Sequence, residues 1–312
     1  MNALVTPETL AAIAHAAGLT GKTQPGPGPL ASPSYRAVES LSLISEGDAP
    51  TFVKLIHPEM RDGFDMGAAM QLARQAGEAG VGPGVFWTDA GIGAIAMEAL
   101  TPALGWQTAT QSTLQRPAVV AHVVQAMRGL HGTAPLAHRF DPFAQIDAQI
   151  AALAGLGALP EDALWLRRVV AEIEPLTEGV TLAPCRNDGS ASNLLIGAGD
   201  RAMLVDYDRG GMNDPLYDVG ALMAEITDFP HDARAVLIAY LGRFDEVAFA
   251  RARLWGTVDD MLHALWSRRL AHVSARRGIE WLKYGEWRLM RLRLAVNDPG
   301  FEQLIRLAVE GA

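Results

Sequence analysis

The chain has 312 residues, 49% of them apolar and 20% charged, with a formal net charge of −9. That length suits two lobes sharing a cleft. The acidic balance excludes nucleic acid as the main partner, since phosphate binding needs clustered Lys and Arg, and is compatible with cationic small molecules. Cys185 is the only cysteine, which leaves no disulfide framework and no thiolate metal site. No uninterrupted apolar run reaches the roughly 18 residues of a membrane helix, and the N-terminus lacks the basic start of a signal peptide. The expectation is a cytoplasmic protein with no membrane partner.

The first predicted element is a helix, with Thr6 as N-cap, Pro7 in the first turn, Leu10, Ile13, Ala14 and Ala17 on one face, and Gly18 as the stop. Residues 21–34, rich in Gly, Pro and Ser, are expected to be loop. "YRAVESLSLIS" (35–45) and "PTFVKLI" (50–56) are short β-type runs separated by a turn-like "EGDA". Residues 65–80 are helical and end at Gly80; residues 81–100 form two strands around a turn at Asp89–Gly91. This first third is β-rich, with one helix inserted after the third strand.

From Pro117 the pattern turns helical, with Val119, Val120, Val123, Met127 and Leu130 at helical spacing. Further helices are expected near 143–155 and 161–175. A hairpin follows, "NLLI" (193–196), a Gly-Ala-Gly-Asp turn and "AMLVDY" (202–207), and the chain is helical again from about 216 to 312. The fold class is therefore α+β: a small β-rich N-terminal lobe (1–100) and a larger, mainly helical C-terminal lobe (101–312), with the boundary near residues 99–103.

Acids stand at both mouths of that hairpin. Asp188 and Asn193 lie five apart in a Gly/Ser-rich loop, and Asp206 ends the partner strand alongside them. An Asn carbonyl and an Asp carboxylate converging from neighbouring strands are hard oxygen ligands suited to Mg²⁺. A second carboxylate nearby can take a proton from an attacking hydroxyl. The set fits the phosphoryl-transfer template of a catalytic Asp, a metal-binding Asn five residues on, and a later metal-binding Asp. The eight histidines lack paired-ligand spacing, and neither a G-x-S-x-G elbow nor a Gly-Lys-Ser/Thr P-loop occurs.

The stretch "CRNDGSASNLLI…LVDYDRGGMNDPLYDVG" resembles the choline/ethanolamine kinase branch of the aminoglycoside phosphotransferase-like kinases, which reads Cys-His-Asn-Asp-x-x-x-x-Asn, then an Asp-aromatic-acid run, then a further Asp. "MRGLHGTAPLAHRFDPF" (127–143) is similar to the helix end and linker of bacterial members, and the family pattern covers about residues 28–295. The resemblance implies a two-lobed, protein-kinase-like fold and transfer of the γ-phosphate of ATP to a hydroxyl of choline, ethanolamine or a related amino alcohol. It makes Asp188 the catalytic base, assisted by Arg186, and Asn193 and Asp206 the magnesium ligands. Lys54 would pair with ATP phosphates, Gly28 to Tyr35 with Ser32 and Ser34 would cover them, and "MEAL", with Met97, Glu98 and Leu100, would hold adenine. Asp218 would brace the catalytic loop. Asp208, Trp266, Trp281, Tyr284 and Trp287 would bind the acceptor, since a quaternary ammonium is held by aromatic faces beside carboxylates.

Three departures accompany the likeness. Arg186 replaces the family His and puts a cation two residues from Asp188, which favours the ionised acid. The helix after the third strand lacks the glutamate expected near Ala69 as partner for Lys54, with Glu59, Asp65 and Glu78 as open substitutes. Pro27, Pro29 and Pro33 replace most glycines of the covering loop. The alternatives are a kinase of an aminoglycoside or sugar and an inactive nucleotide-binding protein.

Overall fold

In the computed structural model, which describes residues 6–19, 21–31, 35–46, 49–227 and 230–310, helix α1 (Pro7–Ala16) begins where the Thr6 hydroxyl accepts the amide of Thr9. Its buried Leu10, Ile13 and Ala14 pack on Leu43, Val53, Leu55, Ala94 and Ala96. Those five residues form the back of an antiparallel sheet of β1 (Thr23–Pro25), β4 (Ser40–Ser45), β5 (Thr51–Ile56), β7 (Ala94–Glu98) and β6 (Val85–Asp89), in that order, while β2 (Leu30–Ala31) and β3 (Tyr35–Arg36) pair separately. The period of two sends Phe52, Lys54 and Ile56 to the other face, which lines a cleft.

The expectation of loop throughout 21–34 is corrected. Strand β1 pairs with β4, from Thr23 against Ser45 to Pro25 against Leu43. All three of its residues are exposed, so no apolar alternation announces it, and an edge position tolerates Pro25. The run 35–45 joins the main sheet only from Ser40, after Ala37 adopts a left-handed φ of 50°. After β5 come a short α2 (Pro58–Arg61), absent from the sequence reading, and α3 (Met66–Glu78), capped by Asp65 on the amide of Ala68. The β6–β7 turn is held by Asp89 Oδ1, which accepts the amides of Gly91 and Ile92.

The larger part is helical, with small strands that carry the charged loops. It runs through β8 (Gln107–Thr108), α4 (Pro117–His131), α5 (Pro142–Gly155) and α6 (Ala163–Ala171) to β9 (Ala183–Cys185), β10 (Leu194–Ile196), β11 (Ala202–Leu204) and β12 (Gly211–Asn213). Helices α7 (Pro215–Ile226), α8 (Pro230–Leu241), α9 (Glu246–Val273), α10 (Trp281–Val296) and α11 (Phe301–Glu310) complete it. Helix α6 stops short of the expected residue 175 because Pro175 opens a separate 3₁₀ turn at Glu174–Thr177. Helix α9 is the axle, about 42 Å long at 1.5 Å per residue, started by Asp245 on the amide of Ala248. Helix α7 crosses it so closely that a Cβ on Gly220 would lie 2.0 Å from the carbonyl oxygen of Ala252. One core joins α4, α7 and α8 to β10 and β11, and a second joins α5, α6, α9, α10 and α11. Among the described residues no helix is long and apolar enough to cross a membrane.

Candidate active site

Strand β9 delivers Arg186, Asn187 and Asp188 into a loop that folds back through a 3₁₀ turn to β10. Asn187 takes a left-handed φ of 57°, tolerated because its side chain is bonded on all sides. Its Nδ2 donates to the carbonyl of Arg209 (2.9 Å), its Oδ1 accepts from Asn213 (2.8 Å), and its amide reaches Asp218 Oδ1 (2.7 Å). The amide of Arg186 reaches the other oxygen of Asp218 at 2.9 Å, so one α7 carboxylate satisfies two consecutive buried donors. That is the bracing expected of Asp218, and His131 supports the same carboxylate at 3.1 Å. Gly189 is required by approach: a Cβ there would sit 2.3 Å from the backbone of Ala221 in α7.

This frame fixes Asp188. Its Oδ1 accepts the amide of Ser190 at 2.8 Å, and its Oδ2 accepts the side-chain amide of Asn193. Burial pushes the carboxyl up, but the Arg186 charge and the Ser190 and Asn193 hydrogen bonds outweigh it and hold the acid below its ordinary range. Arg186 sits behind the loop and favours the ionised acid through its charge. Its buried guanidinium donates to the carbonyls of Asn193 (2.6 Å), Val205 (3.1 Å) and Asp188 (2.6 Å). It ties the loop to the hairpin and acts on Asp188 through charge.

The second acid cluster closes on Lys54. Asp206, at a left-handed φ of 66° just past β11, and Asp208 accept hydrogen bonds from Lys54 Nζ at 2.8 and 2.7 Å. Because β5 is the central strand, Lys54 is buried rather than waving from an edge. Burial disfavours its charge, but Asp206 and Asp208 more than compensate and its pKa rises. None of the proposed helix substitutes reaches it. Glu59 is bonded to Ser274 (3.0 Å) and Arg276 (2.6 Å), Asp65 caps α3, and Glu78 is exposed at the far end of that helix. The placement of Asp208 at the acceptor is likewise corrected, because its buried carboxylate is engaged by Lys54. Glu39, which sequence reasoning missed, joins this cluster from the lead into β4. It meets Arg209 at 3.2 Å, and burial, with Asp206 and Asp188 adding to it, raises its pKa to about 7 against the pull of Arg209 and Lys54. No local pattern marks a partner 170 positions away.

A cavity of about 340 Å³ brings Lys54, Asn193, Asp206 and Asp208 together with Met97, Glu98 and Leu100. Its remaining walls are mostly apolar, including Ile44, Phe52, Ile95, Met70 and Trp106. Pro27 and Ala37 flank its mouth; Ser32 and Ser34 lie outside the described residues. The lining combines a largely apolar stretch with a cluster of charged side chains around Lys54, a chemistry that suits an apolar ring carrying an anionic tail. The donor set also suits magnesium, with the carboxylate of Asp206 and the amide oxygen of Asn193 on the same wall.

On the far side of Asp188 the expected ring cage is corrected. Trp266, Trp281 and Tyr284 are buried in a core with Ile56, Met60 and Leu270, and Trp287 packs against it. A guanidinium already lies against each ring: Arg209 at 4.9 Å from Trp266, Arg276 at 5.3 Å from Trp281, Arg288 at 5.9 Å from Tyr284 and Arg291 at 4.9 Å from Trp287. Arg288 and Arg291 in turn pair with Asp259 and Asp260 of α9.

A carboxylate that sequence reasoning missed stands nearer the loop. Glu225 Oε1 accepts the amide of Ala191 at 3.2 Å, and among the described residues no Lys or Arg comes within ion-pair distance of it. Burial raises its pKa to about 7 against the pull of Arg288, the Ala191 amide and Arg291, with Asp188 close enough to add to the rise. Glu225 is two helical turns from Asp218, so both acids share the α7 face that grips the loop. That spacing was a readable signal.

The family model described as the phosphotransferase enzyme family matches residues 40–255. Protein LicA of Haemophilus influenzae is 26% identical over 137 residues, 42% of this chain and 48% of that protein, so the match spans about half the length of the curated relative. Among solved structures, a choline/ethanolamine kinase family protein from Mesorhizobium loti has a TM-score of 0.80 at 24% identity, covering 97% of this chain and 98% of that one. Choline kinase LicA from Streptococcus pneumoniae has a TM-score of 0.73 at 15% identity, covering 92% and 98%. Spectinomycin phosphotransferase, in complex with ADP and spectinomycin, has a TM-score of 0.60 at 12% identity, covering 97% and 98%. These likenesses give the kinase-like fold, and the family match extends over more than half of the sequence. The chain belongs to the phosphotransferase enzyme family.

Proposed function

We propose that this phosphotransferase moves the γ-phosphoryl group of ATP to the hydroxyl of a small amino alcohol of the choline or ethanolamine class. Residues 1–100 would hold the nucleotide, and 101–312 would supply the catalytic loop and the acceptor site. The observation that carries the reading is the convergence of Lys54, Asn193 and Asp206 on one polar cavity end, with Asp188 held by Asn193. The named activities of the choline kinase and choline/ethanolamine kinase neighbours support the acceptor class.

In this reading Met97, Glu98 and Leu100 receive adenine, and Lys54 orients the phosphates. Asn193 and Asp206 are the residues that would hold magnesium, which supplies neutralisation of charge on the phosphate oxygens. Asp188, ionised and locked by Ser190 and Asn193, accepts the hydroxyl proton as the acceptor oxygen bonds to phosphorus and the bond to the ADP oxygen breaks. Glu225 receives the ammonium: it is a buried carboxylate near Asp188 with which no Lys or Arg among the described residues forms a direct ion pair, and such a site gains from a cation. With the ring faces already stacked by arginines, this carboxylate favours an ammonium that donates hydrogen bonds.

The test is ADP release from Mg²⁺-ATP with choline, ethanolamine, other amino alcohols, sugars and aminoglycosides, using Asp188→Asn as the blank. Release with an amino alcohol, absent from the blank, is expected. Release only with a sugar or aminoglycoside would sink the acceptor assignment, and ATP binding with no turnover on any acceptor would favour an inactive nucleotide-binding protein.

A further inference from the structure

In the kinase-like pattern a carboxylate on the helix after the lysine strand holds the lysine in place, and among the described residues no carboxylate of α2 or α3 reaches Lys54. The face of α3 that lines the cavity offers Met66, Ala69, Met70 and Ala73. Lys54 is nevertheless buried and paired with two carboxylates, and both come from the segment between β11 and β12, across the cleft.

We propose that Asp208 is the positioning residue for Lys54, replacing the absent helix carboxylate by an ion pair that spans the two lobes. The two partners are not equivalent. Asp206 has 18% of its side chain exposed and Asp208 9%. Only Asp206 has the left-handed backbone that turns a strand-end side chain into the cleft. When Asp206 is committed to magnesium, as the proposed function requires, Asp208, the more buried of the two, stays on Lys54 and keeps its ammonium aimed at the phosphates. Glu39 cannot serve instead, because Arg209 holds it. A helix carboxylate would orient the lysine whether the lobes were open or closed. Here orientation and lobe closure are one event, since separating the lobes parts Lys54 from Asp208.

The inference rests on the reading of the cavity as an ATP site, and calorimetric binding tests it without any turnover. Asp208→Asn is expected to weaken ATP binding about 10-fold, the scale of a lost charge-assisted hydrogen bond, and to leave adenosine binding unchanged, because Lys54 acts only on phosphate. Lys54→Met is expected to weaken ATP binding at least as much, and the double variant no further than Lys54→Met alone. Additive losses, or an equal loss of adenosine affinity, would overturn the positioning role. Should Asp208→Asn fail to fold, Asp208→Glu, which keeps the charge on a longer arm, runs the same cycle against the same outcomes. Wild-type protein that binds adenosine and ATP equally would overturn the ATP-site reading itself, a result distinct from an additive cycle.

Discussion

The two walls of the cleft are built on different principles. The wall from the sheet and α3 is made by periodicity: alternate residues of β5 and β7 and one face of α3 present apolar side chains, and Lys54, with Glu39 close to its partners, is the charge that this side brings to the polar end. The opposite wall is made by short strand pairs joined by loops, and buried side chains hold much of the loop backbone. Arg186, Asn187 and Asp218 together satisfy carbonyls and amides over residues 185 to 211. A wall made by packing tolerates exchange of one apolar residue for another. A wall made by buried polar contacts does not, because each lost partner leaves a desolvated group behind.

The sharpest way to break this contrast is at the loop wall. Asp188→Asn is expected to lower turnover by roughly 10²–10⁴, the usual worth of a general base, while ATP affinity holds; single-turnover kinetics on the best acceptor would show it. Asp218→Ala strips the acceptor from two buried amides and is expected to cost about 2–4 kcal/mol, read by urea unfolding. A loss within error would mean that the loop is held by Arg186 and Asn187 alone. Asp206→Ala is expected to weaken ATP binding about 10-fold with Mg²⁺ present and little without it. Equal losses with and without the ion would make Asp206 a partner of Lys54 only.

The mildest test concerns pH. Glu225, with its pKa raised to about 7, is protonated below that value and ionised above it. If the ionised form holds the acceptor ammonium, kcat/KM for the acceptor should fall by about tenfold per pH unit below neutrality, and Glu225→Gln should be low at every pH. The same limb persisting in Glu225→Gln would assign it to another group. Glu39 titrates near the same point but faces Lys54 and Arg209, so it is expected to act on the ATP profile instead.

How much of this was legible follows from what each element depends on. Helix α1, with its Thr6 cap and its Leu10, Ile13 and Ala14 stripe, and the β6–β7 hairpin with its Asp89 turn are local in cause. Their residues lie within a few positions of one another, and period and turn chemistry suffice. So too for Asp188 and Asn193, whose side chains meet five residues apart. Strand β1 was missed because an exposed edge strand carries no apolar alternation.

The sequence by itself determined the lobes' composition, the order of the main helices and sheet strands and the identity of the acids around the hairpin, since all of these depend on neighbours along the chain. Only the tertiary structure decided the partners: Lys54 with Asp206 and Asp208, 152 and 154 positions away, and Glu39 with Arg209, 170 away. It also decided that arginines already lie against the rings of the expected cage. A buried charge takes whichever counter-charge the fold brings within reach, and that choice is made by packing rather than by spacing.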